Sequence, residues 1–100
     1  MVNPKHQKEI VRILCEIFPG VVIYYYGNKE KAHDADGKEP EIDIALDLGR
    51  RIGVTDIAEA QKALSETDIP YTFYLYDLNS VSEHERTQII KKATAWRFPL

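Results

Sequence analysis

Cysteine occurs once in the 100 residues, at Cys15. A lone thiol excludes an internal disulfide and a cysteine-based zinc site. Two roles remain for it, a catalytic thiol or a small buried side chain on a helix, and its apolar neighbours favour packing. Long hydrophobic runs are also missing. The longest is Val21 to Tyr26, far short of a membrane span. No basic-then-apolar leader opens the chain, and Val2 excludes N-myristoylation, so the chain reads as cytoplasmic with no membrane partner. Basic residues are not in excess either: 13 Lys and Arg face 16 Asp and Glu, a net charge of −3. That balance speaks against general nucleic-acid binding, which needs a basic footprint to displace counterions. Repeats, low-complexity segments and internal linkers are absent. What is present, 44% hydrophobic and 29% charged residues, suits a single globular domain spanning 1–100.

The chain divides into alternating elements. Asn3-Pro4 is a helix start, because Asn caps and Pro suits the first helical position. Ile10, Val11, Ile13, Leu14, Ile17 and Phe18 follow at helical spacing, and Pro19-Gly20 ends the run. Val21 to Tyr26 is β-branched and aromatic and reads as a strand, broken at Gly27-Asn28. Residues 28–40 are polar and read as a loop. From Glu41 to Asp47 the alternation is clean: Ile42, Ile44 and Leu46 share one face, and Glu41, Asp43, Ala45 and Asp47 share the other. Thr55 is the expected cap of a helix running to about residue 66. Tyr71 to Asp77 is a third strand, with Tyr71, Phe73 and Leu75 on one face and Thr72, Tyr74 and Tyr76 on the other. Ser82 and Glu85 match a capping box for a last helix reaching about Trp96. The order α-β-β-α-β-α implies an α/β (α+β) domain, with a small mixed three-stranded sheet covered by helices mainly on one face.

Chemistry concentrates where the first strand turns at Gly27-Asn28 and the next strand presents Glu41 and Asp43. Carboxylates at i and i+2 of a strand point the same way, and hard oxygen ligands converging from one face suit a divalent cation. An exposed sheet face produces the same pair with no metal, so the residues alone leave both readings open. His33, Asp34 and Asp36 form a second polar cluster, better read as a solvated loop because no second His stands at ligand spacing. Tyr24, Tyr25 and Tyr26 suit either a stacking surface or core packing. Lys29 and Lys31 follow the glycine, where lysines meet phosphates or simply solvent. The apolar tail from Trp96 to Leu100 either packs back on the domain or docks on a partner.

Taken together, these segments resemble the minimal nucleotidyltransferases, small bacterial relatives of the polymerase-β superfamily. Gly27-Asn28-Lys29 stands where that family has Gly-Ser-Arg. Glu41-Ile42-Asp43-Ile44-Ala45 stands where it has Asp-Ile-Asp-Leu-Ala, and residues 65–70 match its approach to a third acidic strand. The resemblance covers nearly the whole chain. It implies the nucleotidyltransferase fold, with Glu41 and Asp43 as catalytic and metal (Mg2+) ligands and Gly27, Asn28 and Lys29 as nucleotide-binding residues toward an NTP. In such chemistry two metal ions flank the phosphorus under attack, and three carboxylates hold them. A glycine turn lets the backbone approach the phosphates closely.

The same alignment shows four departures. Asn28 replaces Ser, Glu41 replaces the first Asp, and the loop between them is about two residues longer than the usual spacing. Tyr74 takes the third acidic position. Asp77 lies three residues from Tyr74 and points to the opposite face in a regular strand. Asp47 is four residues beyond Asp43, about 13 Å at strand rise, too far to share an ion. The expectation is a divergent nucleotidyltransferase-fold protein with an incomplete acid set, a pseudoenzyme acting as a protein-binding, antitoxin-like subunit. By resemblance its partner is a HEPN-type helical protein carrying Arg-x-x-x-x-His. The alternative is an active Mg-dependent nucleotidyltransferase moving an NMP from an NTP to a protein or small-molecule hydroxyl, and a third reading is a nucleotide sensor without turnover. The open edges of a small sheet also invite a homodimer.

Overall fold

The computed structural model describes residues 2–29 and 41–97. Its first helix, α1 (Pro4–Ile17), starts as its sequence demands: Asn3 Oδ1 accepts the Lys5 amide at 2.9 Å and Pro4 fills the first turn. Ile10 and Leu14 are fully buried one turn apart, a gain of about 1.5–3 kcal/mol each by transfer from water. Cys15 is partly buried and packs against the same core. On the polar side Arg12 pairs with Glu9 and with Glu16. The helix stops at Phe18, and Gly20 then takes φ +84°, a left-handed conformation natural to glycine.

Strands β1 (Val22–Lys29) and β2 (Glu41–Asp47) pair antiparallel. Helix α2 (Val54–Ser65) then crosses to β3 (Thr72–Asp77), which lies parallel to β2. α3 (Glu83–Lys92) leads into β4 (Thr94–Arg97), antiparallel to β1. The resulting mixed sheet has the order β3-β2-β1-β4. Helices α1 and α2 bring Ile10, Leu14, Ala60 and Leu64 to one core with Ile23, Ile42, Ile44, Leu46, Phe73 and Leu75. α3 adds no buried residue. It lies against β1 and reaches the opposite face through Arg86, which donates to Asp47 Oδ2 at 2.8 Å.

The alternation of β3 is as expected, whereas β2, expected half-buried, is buried on both faces with Asp43 and Ala45 included, and three further details of the fold differ from expectation. The sheet has four strands, because the last helix ends at Lys92 rather than near Trp96. Ala93 turns to extended backbone (ψ 158°), and Trp96 stacks on Tyr25 with ring centroids 4.9 Å apart and planes 7° from parallel. A β-branched and aromatic stretch gains more as an edge strand beside β1 than as another helical turn. Strand β1 does not break at Gly27-Asn28 but continues to Lys29, absorbing the change in a bulge. α2 is capped by Gly53, without a side-chain cap, instead of by Thr55. The Ser82 start of α3 does form, with Ser82 Oγ accepting the Glu85 amide at 3.1 Å.

Candidate nucleotide and metal site

On β2, Ile42, Ile44 and Leu46 enter the core, so alternation sends Glu41, Asp43, Ala45 and Asp47 to the other face. The neighbouring strands decide what those carboxylates meet. Regular pairing beyond Tyr25↔Ile44 would set Tyr26 across from Asp43. The register instead shifts between Tyr25 and Gly27, so Gly27 pairs with Asp43, Asn28 with Ile42 and Lys29 with Glu41. A bulge inserts one extra residue and reverses the parity of the residues beyond it. Its effect here is that the residue across from Asp43 has no side chain, so the backbone itself borders the carboxylate. The structure thus brings Gly27, Asn28 and Lys29 alongside Glu41 and Asp43. Asn28 sits in register with a core residue rather than with an acidic one.

On the other side β3 pairs Thr72 with Glu41, Tyr74 with Asp43 and Tyr76 with Ala45. Tyr74 therefore stands beside Asp43 on the face of the acids, and its phenol O–H donates to Glu41 Oε2 at 3.4 Å. Asp43 is only 4% exposed. Glu41 is half-buried, and Tyr74 is exposed.

Among the described residues, the two further acids on these strands, Asp77 and Asp47, are committed elsewhere. Asp77 lies buried on the core face with Phe73 and Leu75. Its Oδ2 accepts the Ile52 amide at 2.8 Å and its Oδ1 the Asn79 amide at 2.9 Å, which fixes the entry to α2 and the turn after β3. Asp47 ends β2, where Oδ1 accepts from the Gly49 amide and Asn79 Nδ2, and Oδ2 from Arg86. Partial burial alone would raise the Asp47 carboxyl. The hydrogen bonds from Asn79 and Gly49 and the Arg86 charge outweigh it, holding the group below the ordinary aspartate range.

Two alternating carboxylates offer hard oxygen donors, but the third position carries a neutral phenol. Among the described residues no three His, Cys, Asp or Glu side chains gather as a metal site. This donor set does not fit a three-carboxylate, two-cation centre. His33, Asp34, Asp36 and Lys31 lie outside the described residues, as do Phe98, Pro99 and Leu100. Tyr25 belongs to core packing through Trp96. Arg50, Arg51 and His84 are exposed.

Neither the bulge at Tyr26 nor the phenol–carboxylate contact can be read from residue order alone. The glycine after three tyrosines was the available signal for the first, because glycine inside a strand marks a bulge or a close backbone approach.

No protein-family model and no curated protein matches the chain. Solved structures do. One is the MntA–HepT toxin–antitoxin complex, with a TM-score of 0.72 and 20% identity over 94% of this chain and 71% of that chain. Another is a tri-AMPylated HEPN toxin of Shewanella oneidensis in complex with an MNT antitoxin, at TM-score 0.71 and 19% identity over 92% and 69%. A toxin–antitoxin structure with AMP-PNP matches at TM-score 0.70 and 20% identity over 90% and 71%. At such identities the likeness is one of architecture. It extends over nearly all of this chain: this chain has the fold of the minimal nucleotidyltransferase antitoxins.

Proposed function

We propose that this protein is an antitoxin-like subunit that works by binding a helical HEPN-type partner, without transferring a nucleotide. One observation carries the reading. The position beside Asp43 on β3 holds Tyr74, whose phenol is directed at Glu41. A cation pair held by three carboxylates loses an anionic ligand there. Among the described residues no neighbouring acid replaces it, since Asp77 is spent on the Ile52 and Asn79 amides across the sheet. The matched complexes support the choice of partner class, because they join an MNT antitoxin to a HEPN toxin.

The test is incubation with labelled ATP and Mg2+ or Mn2+, with and without a HEPN-type helical protein, sought first at the neighbouring gene. The expected result is a stable complex and no label on either chain. Label transfer that disappears in Asp43→Ala would establish the transferase instead.

A second reading, nucleotide binding without turnover, draws on the pairing of Gly27 with Asp43 and of Lys29 with Glu41. Glu41 and Asp43 are the two residues that would hold a single Mg2+ beside a bound NTP, with Gly27, Asn28 and Lys29 toward its phosphates. Restoring the family's residues with Tyr74→Asp and Asn28→Ser is expected to tighten Mg-ATP binding by about tenfold or more, the gain of one charged ligand. Calorimetric titration of the double variant against the parent measures it. An unchanged affinity would show that Tyr74 does not occupy the third acidic position in any functional sense.

A further inference from the structure

The sheet has two edges, and they are built differently. β4 is four residues long, follows Lys91 and Lys92 and ends in Arg97. Short, basic edges resist pairing. β3 is six residues long and carries no charge before Asp77, no proline, no glycine and no bulge. Among the described residues, three of the four exposed large hydrophobics gather around it: Val54 at 87%, Tyr74 at 38% and Tyr76 at 39% exposure. Two pockets border β3 and α2, one lined by Lys62, Ser65 and Phe73 near the start of β3 and one lined by Val54, Ile57 and Tyr76 near its end. Midway, Gln61 Oε1 accepts the outward Leu75 amide at 3.2 Å. That is a weak, replaceable side-chain bond where a strand partner's carbonyl would bind.

We propose that the β3 edge is the seam of a homodimer, in which two copies pair β3 with β3 antiparallel about a two-fold axis at Leu75. Geometry selects the register. A two-fold axis normal to the sheet keeps each residue on its own face, so opposed residues share parity. The outward amides alternate with those bonded to β2, so they belong to Phe73, Leu75 and Asp77. Centring on Leu75 uses all three: Leu75 opposes Leu75, and Phe73 opposes Asp77. On the exposed face Tyr74 of one copy opposes Tyr76 of the other, an aromatic cross-strand pair. No like charges face each other along the strand. The ends are complementary as well. Asp68 lines the pocket near the start of β3 and Arg51 lines the pocket near its end, and antiparallel pairing brings each end to its opposite. Gln61 then acts as a competitor, holding the Leu75 amide in the monomer and releasing it in the dimer. The seam does not depend on the proposed HEPN-type partner.

Sedimentation equilibrium of the full chain from micromolar to millimolar concentration tests this, together with hydrogen exchange at Phe73 and Leu75. The dimer is expected to form with concentration and to slow exchange at both amides. Gln61→Ala frees the Leu75 amide and is expected to lower the dimer Kd by about tenfold, the scale of one hydrogen bond. Tyr76→Lys, checked for folding by circular dichroism, is expected to raise it by about tenfold or more. A chain that stays monomeric both as wild type and as Gln61→Ala overturns the proposal. So does a dimer whose Kd is unmoved by a folded Tyr76→Lys, or one that leaves Phe73 and Leu75 exchange unchanged.

Discussion

Asp77 and Tyr74 are three residues apart, and that odd spacing separates their roles. Alternation turns Tyr74 outward beside Asp43 and Asp77 inward beneath the loop that starts α2. The outward position, paired with Asp43, holds a phenol. The inward carboxylate serves two backbone amides that would otherwise be buried without acceptors. Asp77→Ala removes both acceptors at once, and leaving buried amides unpaired costs about 1–3 kcal/mol. The expected outcome is a lower urea midpoint with an unchanged slope, and no change in Mg-ATP titration beyond what destabilisation explains. Selective loss of nucleotide binding in a folded Asp77→Ala protein would instead place this carboxylate at the site. The direction of both side chains is legible in the sequence, because a period of two decides it. The partners of Asp77 are not, since Ile52 lies 25 residues away and only the folded crossover brings its amide near.

At the scale of elements, legibility tracks burial. β3 is readable because its core face alternates with an exposed one, and α1 because its cap and apolar spacing agree, whereas the residue alternation of β2 places its side chains but hides the burial of its second face. α3 and β4 are the poorest, and between Glu83 and Arg97 no residue is fully buried. The pattern that separates helix from strand is therefore faint there, and the β1 edge and the Tyr25 ring decide the outcome. The bulge in β1 is hidden for a related reason, since it depends on how the strand must meet β2. With so little buried surface, α3 depends on its polar tie, Arg86 to Asp47. The Asp47 carboxyl is held below its ordinary value, so folding is favoured by its ionised form. That contribution is complete above the unfolded-state value near pH ~3.9 and is lost as pH falls through the lower folded-state value. Arg86 is partly exposed, so solvent screening keeps the ion-pair share small, about 1 kcal/mol or less. Melting curves of wild type and Asp47→Asn should differ by a constant offset at neutral pH, begin to converge below about pH 4, and meet only once pH has fallen through the lowered folded-state value. Persistence of the full offset in strong acid would show that Asp47 contributes only as a neutral acceptor.

For the whole molecule, the question is what this fold does with Tyr74, rather than a third carboxylate, beside Asp43. The core, the crossover and the glycine beside Asp43 are all in place, and none of them needs a cation to form. A folded surface of this kind remains available for contact with a partner whatever happens to the chemistry. If contact is the function, the complex with the HEPN-type protein should not depend on divalent metal. Its Kd is expected to agree within about twofold in Mg2+ and in excess chelator, a difference well under 1 kcal/mol. Tyr74→Phe, which removes the hydroxyl facing Glu41 but keeps the ring, should leave that Kd unchanged too. Biolayer interferometry under both conditions decides it. A tenfold or greater weakening in chelator, about 1.4 kcal/mol, would mean that Glu41 and Asp43 hold an ion in the working complex. The two carboxylates would then be ligands retained for assembly rather than remnants of catalysis.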